Sequence, residues 1–327
     1  MPRQARLDAP GALHHIMLRG IDRSAIFADE EDRHRFLGRL GENLLEGRGT
    51  VYAWVLMDNH VHLLFKSGNI GISCIMRRLL TGYAQYFNRR HSRAGHLFKN
   101  RYKSILCEED AYLLTLVRYI HLNPVRARTA ATLRELDGYS WSGHPAILGK
   151  AHFPWMDTEY VLAQFADTKR KATEEYRRFM AEGLNQGRIP ELTGGGLIRS
   201  LGGWSQVLSQ RRKGEQPASD ERILGRGDFV HAVLQEAEER QRRQLKLQRN
   251  GLTIEQIIAE ECSESKTSSQ ELQHGSRRKA VSAARRRIAY RCKEELGLSA
   301  AEIARHLGVN TSSITRAIQE VERKGRD

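Results

Sequence analysis

The stretch "TVYAWVLMDNHVHLLF", residues 50 to 65, constrains the fold more than any other part of the chain. Two apolar runs of strand length are separated only by "MDN", a turn-forming tripeptide. In the first run Val51, Ala53 and Val55 fall on one side of an extended chain, and "HVHLLF" returns as the second strand of a hairpin. Around this hairpin the first 150 residues alternate between strand and helix patterns. "ALHHIML" (12–18) and "YKSIL" (102–106) read as strands. Residues 29–46 carry a helical stripe at Phe36, Leu37, Leu40, Leu44 and Leu45, and residues 70–90 carry one at Ile75, Leu79, Leu80, Tyr83 and Phe87. Asp110 opens a third helix through "AYLLTLVRYIHL", which Pro124 must stop, because proline disfavours the helical conformation of the residue before it. The order βαββαβα predicts an α+β domain over residues 1–150, an antiparallel sheet with helices packed on one face.

Beyond residue 150 the pattern turns helical. Residues 151–215 read as an irregular connector to which no role attaches, interrupted by "TGGGLIRSLGGW" (193–204). No strand precedes those glycines and no Lys-Ser/Thr pair follows, so they read as a turn and not a phosphate loop. "RRKGEQPASDE" (211–221) is polar and breaker-rich, a linker pattern, and residues 216–327 read as an all-helical C-terminal domain.

The bulk charge limits the partners. Fifty-three Lys and Arg against thirty-nine Asp and Glu give a net charge of +14, which draws the chain toward polyanions: nucleic acid first, an anionic membrane second. No run of eighteen apolar residues exists, which predicts no membrane span. The N-terminal "MPRQARLDAPG" has no apolar stretch after it and predicts no signal peptide. Cys74, Cys107, Cys262 and Cys292 are too scattered for a zinc knuckle or redox pair and read as reduced thiols. The expectation is a cytoplasmic protein.

Nine Lys and Arg and no acid lie between Lys66 and Cys107. Arg77, Arg78, Arg89, Arg90, Arg93, Lys99, Arg101 and Lys103 fall in this run, interleaved with Tyr86, Phe87, His91, His96, Phe98 and Tyr102. That mixture fits a groove that tracks phosphates and stacks single-stranded bases.

His60 and His62 are one residue apart in a strand, so both imidazoles point to one face and can reach one ion. Two ligands are too few for tight binding, and the helix "DAYLLTLVRYIHLNP" offers a third. Asn123 could give its amide oxygen, with Tyr119 one turn before it on the same side; His121 is an equal rival by spacing. A metal draws charge off a phosphate, and a positioned tyrosine hydroxyl can attack the phosphorus. A free phenol has a pKa near ~10 and needs a nearby cation to ionise. Spacing alone leaves Tyr119 equally readable as an amphipathic core tyrosine.

"LMDNHVHLLF", "GYAQYFNRRHSRAGHLFKNRYKS" and "YLLTLVRYIHLNPVRA" together resemble the IS200-like, REP-associated tyrosine transposases, of the HUH single-strand endonuclease class. The resemblance spans residues 5 to about 150, with three motifs in order. It implies a ferredoxin-like fold, a divalent metal (Mg or Mn), and a 5′-phosphotyrosine intermediate on hairpin-forming repeat DNA. By the same resemblance His60, His62 and Asn123 are the metal ligands and Tyr119 the nucleophile. Relatives act alone or as paired subunits, so a homodimer is one of two expected states, and a bacterial, nucleoid-associated setting is implied. The competing reading is a DNA-binding regulator with a retired active site.

At the other end, "GLSAAEIARHLGVNTSSITRAIQEVERK" shows Ser299 followed three residues on by Glu302, a capping box. Ile303, Ala304 and Leu307 line one helix, Gly308 turns the chain, and Ile314 and Ile318 line the next: helix-turn-helix spacing. Thr311, Ser312, Ser313 and Arg316 would face a duplex groove, with Arg285 and Arg286 in the basic stretch "SRRKAVSAARRRIAYRCKEEL" suited to phosphates. The region from "GLTIEQIIAEECSES" onward resembles the DNA-binding domain of the replication initiator DnaA. It lacks the initiator's Asp-His-Ser-Thr signature, so that protein's target sequence does not carry over.

Overall fold

The computed structural model describes residues 7, 11–47, 49–68, 71–184, 192, 220, 222–276 and 278–324. These form two compact units dividing between His231 and Ala232. The sequence placed that boundary at 215/216, on the strength of a polar linker. A two-residue strand at Ile223–Leu224 instead joins the first unit's sheet.

The first unit runs β1 (Leu13–Arg19), α1 (Glu30–Gly47), β2 (Thr50–Met57), β3 (His60–Lys66), α2 (Ile72–Arg90), β4 (Lys103–Cys107) and α3 (Glu109–His121), the predicted order. Strand order is β2-β3-β1-β4-β5, with β5 at Ile223–Leu224. The first four strands are antiparallel, as expected, and β5 pairs parallel with β4, making the sheet mixed. A two-residue strand has no periodicity to read, which is why the pattern did not show it.

Side-chain parity sorts the two faces of the sheet. Phe65 shares one face with α1, since its ring and the side chain of Leu44 both close around Gly49. Tyr83 of α2 packs edge-on against Phe36 of α1. His62 and Leu64 point the other way, where α3 lies across β2 and β3 with the Tyr119 ring 5.8 Å from His62. The helices therefore cover both faces, not one. The 3.6-residue stripe of α3 marks its buried side but carries no information about which face of the sheet receives it.

Past α3 the chain makes short helical turns at Asn123–Arg126 (α4), Leu133–Leu136 (α5) and His144–Ile147 (α6), then helices Thr158–Ala163 (α7) and Lys169–Glu182 (α8). Asp157 caps α7 by accepting from the Tyr160 N–H. These elements share the core of the first unit through Trp155, Val161, Leu162 and Tyr176.

A helix at Gly227–Arg249 (α9) leads into the second unit, with α10 (Ile254–Ser265), α11 (Ser269–Gln273), α12 (Lys279–Leu296), α13 (Ala300–His306) and α14 (Thr311–Lys324). Capping boxes at Thr253, Ser268 and Ser299 start α10, α11 and α13. Gly308 turns between α13 and α14 at a φ of +61°, and a Cβ there would strike the Gln273 carbonyl oxygen. Val281, Ile288, Ile303, Leu307, Ile314 and Ile318 close a separate core. No described helix is long and apolar enough to cross a membrane.

Candidate active site

The site lies on the α3 face of the sheet. In the antiparallel register Met17 of β1 pairs with His62 and Arg19 pairs with His60. His60 and His62 project together, with ring centroids 5.3 Å apart. Asn59 donates through Nδ2 to the Arg23 carbonyl, so its Oδ1 receives the His60 Nδ1 proton at 2.6 Å. That bond leaves His60 Nε2 as the lone-pair nitrogen. The His62 Nδ1 is engaged by His15 Nε2 at 2.9 Å. Burial, and then the neighbouring His15 and His60, hold the His62 pKa well below the ordinary imidazole value. The ring stays neutral, as a metal ligand must.

Pro124 explains why α3 ends as it does. Proline brings no N–H, so the Ile120 carbonyl loses its helical donor. Asn123 folds back instead, its Nδ2 2.9 Å from the Tyr119 carbonyl and 3.4 Å from that of Ile120. With the nitrogen tied to the helix end, the amide oxygen is the end of Asn123 offered to a ligand. Arg126 adds a second donor to the Tyr119 carbonyl at 2.8 Å, and its guanidinium stands 5.0 Å from the Tyr119 ring. Burial lowers the Arg126 pKa, partly countered by Tyr119.

His60, His62, Tyr119 and Asn123 line one cleft of about 880 Å³, together with Arg19, Lys99, Lys103 and Arg126. Among the described residues no three His, Cys, Asp or Glu side chains cluster as a metal site. Two imidazoles and an amide oxygen are thus the donor set present, one that suits a divalent ion such as Mn or Mg. His121 is not part of it. Fully buried, it turns away from the cleft, its Nδ1 2.9 Å from the Tyr176 hydroxyl. Tyr176 also meets His144 Nδ1 at 2.7 Å, and His144 Nε2 meets Asp137 at 2.9 Å. Arg118 stacks on Phe179 at 4.1 Å, so α8 braces the helix that carries Tyr119.

The basic residues divide sharply. Lys99 and Lys103 line the cleft, and Arg101 is exposed in the same segment. Arg77, Arg78, Arg89 and Arg90 ride on α2, across the sheet from Tyr119. Arg78 pairs with Glu46, and Arg90 with Asp29, Glu31 and the buried Asp32. Arg93 sits over Phe87 at 5.8 Å. Of the interleaved aromatics, Phe87 and Tyr102 are buried and His91 pairs with Asp32. His15 and Arg126 were missed by sequence reading. The signal for His15 was its parity with His62, visible only once the β1–β3 register is known; Arg126, which donates to the Tyr119 carbonyl, left no local signal in the sequence.

In the second unit Thr311, Ser312, Ser313 and Arg316 are exposed on the first turns of α14, which Asn310 caps through the Ser313 N–H at 2.8 Å. Arg285 points inward, donating to the Leu272 and Ser276 carbonyls at 3.2 Å each. Arg286 pairs with Glu320 at 2.8 Å, and Arg287 and Arg291 bind Glu261. The basic face of α12 is largely neutralised by its own domain.

In the first unit a strand carrying two histidines and a helix carrying a tyrosine thus line one cleft on the same face of a mixed sheet. Residues 10–123 match the family model "Transposase IS200 like". Residues 279–327, from α12 to the end, match the homeodomain-like model, a helix-turn-helix class. A solved structure described as a REP-associated tyrosine transposase bound to a REP hairpin is 16% identical, with a TM-score of 0.38, covering 47% of this chain and 91% of its own. No curated protein sequence matches the chain.

Proposed function

We propose that the first unit cuts and rejoins single-stranded DNA, with Tyr119 as the nucleophile and His60, His62 and Asn123 as ligands of a divalent ion, Mg or Mn. The observation that carries this reading is the meeting of Tyr119 with His62 at 5.8 Å in a cleft that Asn123 also lines. A divalent ion bound there would draw negative charge from the scissile phosphate. Arg19, Lys99 and Lys103 hold the strand's phosphates along the cleft, and Arg126 stabilises negative charge near Tyr119. The Tyr119 oxygen attacks phosphorus as the phenol loses its proton. The bond to the 3′ oxygen breaks, leaving a 5′-phosphotyrosine and a free 3′-hydroxyl. The reverse attack rejoins DNA without ATP, because the phosphodiester energy is kept in the tyrosyl link.

The substrate would be a hairpin-forming repeat, with the strand flanking the stem in the cleft. The second unit would grip duplex DNA through Thr311, Ser312, Ser313 and Arg316. By the family resemblance the setting would be a bacterial cytoplasm, with the protein associated with the nucleoid. The test is incubation with single-stranded hairpin DNA and Mn, followed by denaturing electrophoresis. A covalent adduct absent from Tyr119→Phe is expected. Cleavage that persists in that variant points to hydrolysis, and no cleavage on any repeat points to a DNA-binding regulator.

A further inference from the structure

His15 takes part in none of the chemistry above, yet it is fully buried directly behind a candidate metal ligand. It lies on β1 opposite Leu64, on the same face of the sheet as His62. Its Nε2 is 2.9 Å from His62 Nδ1, with ring centroids 5.1 Å apart and planes 28° apart. Those values fit two rings meeting edge to edge in a nearly common plane, a hydrogen bond and not a face-to-face stack. On the far side, His15 Nδ1 is 3.0 Å from the Leu192 carbonyl oxygen.

The proton positions follow by elimination. A carbonyl only accepts, so His15 Nδ1 carries a proton. A ring buried this deeply favours its uncharged form, which has only one ring proton. His15 Nε2 is therefore an acceptor, and the bond to it must be donated by His62 Nδ1–H. The lone pair of His62 is thereby placed on Nε2. In the opposite tautomer His62 would face His15 lone pair to lone pair at 2.9 Å, and its Nε2 would carry a proton and bind no metal.

We infer that His15 is a positioning residue: the chain Leu192 carbonyl, His15, His62 locks His62 in its metal-binding tautomer and so sets the protein's affinity for a divalent cation. This rests on the reading of His60, His62 and Asn123 as ligands. A carbonyl beyond α8, from a stretch the sequence left without a role, thus takes part in the metal site. Partners of this kind behind a histidine ligand are typically worth about 10- to 100-fold in metal affinity.

The test is Mn²⁺ binding to the full-length chain by titration calorimetry, without DNA. His15→Phe fills the space with no acceptor and is expected to weaken binding by at least about 10-fold. His15→Gln keeps an acceptor near the Nε2 position and is expected to recover most of that loss. Binding by His15→Phe within twofold of the parent, or His15→Gln no better than His15→Phe, overturns the inference. A parent chain that binds no Mn²⁺ overturns the ligand reading itself. Nitrogen-15 NMR of the histidine-labelled parent gives an answer that needs no variant to fold. His62 is expected as the Nδ1–H tautomer, and an Nε2–H tautomer sinks the idea.

Discussion

Removing a single oxygen atom, in Tyr176→Phe, tests the brace behind the helix that carries Tyr119. Asp137 accepts from His144 Nε2, so that nitrogen carries the His144 proton and His144 Nδ1 is an acceptor. The Tyr176 hydroxyl must then donate to His144 and accept from His121 Nδ1–H. All three side chains are buried to within 1% exposure, so no water replaces the lost hydroxyl at little cost. Each stranded buried group costs about 1–3 kcal/mol. Two of them give roughly 3 kcal/mol, with little cavity penalty because the ring remains. In a unit of this size about 3 kcal/mol lowers the melting temperature by roughly 6–12 °C. The assay is thermal unfolding by circular dichroism, with the α10–α14 unit as an internal control expected to melt unchanged. A shift of the first unit below about 2 °C would refute the chain of donors and acceptors.

Arg90→Ala strips an ion-pair partner from the buried Asp32 and should lower the melting temperature of the first unit, with hairpin affinity unchanged. Lys103→Ala should do the reverse, weakening hairpin binding and reducing its salt slope by about 0.7, and equal DNA effects of the two would contradict the division of charges. Arg285→Ala should lower the melting temperature of the second unit, while Arg316→Ala should leave it unchanged and weaken duplex binding in gel-shift titrations. Acidification should destabilise the first unit in EDTA, because burial holds the His62 and His121 pKa values well below the ordinary one. Their neutral forms contribute full stability above pH ~6.5, and this is lost as pH falls, because the unfolded chain takes up the protons first. At pH ~5.5 the pair should cost about 3 kcal/mol by denaturant unfolding, and equal stability at pH ~7.5 and ~5.5 would contradict their burial as neutral rings.

The sheet and its helices were legible because period-two and 3.6-residue patterns are local, and because Pro124 and "MDN" punctuate them. Strand parity paired His60 with His62, and one helical turn paired Tyr119 with Asn123, but spacing left His121 an equal rival, and the family resemblance, not periodicity, chose between them. His15 needed the register between β1 and β3, which no single strand encodes. The acid-free run from Lys66 to Cys107 misled differently. The acids that bind Arg90, at Asp29, Glu31 and Asp32, come from another element, and charge counted along the chain says nothing about charge across it.

The sheet is also partly covered at its sides. Along β2, Val51 bridges to Met156 and Val55 to Ser142, while β5 covers the end of β4 and Arg226 fastens to Glu108 beside it. An uncovered strand recruits other chains by extending the sheet, the usual route to aggregation or domain exchange. Here part of each side is taken, along β2 and at the end of β4. Cutting the chain at the polar linker would remove β5 and Arg226 from the first unit, so a fragment that keeps this cover has to run past residue 226.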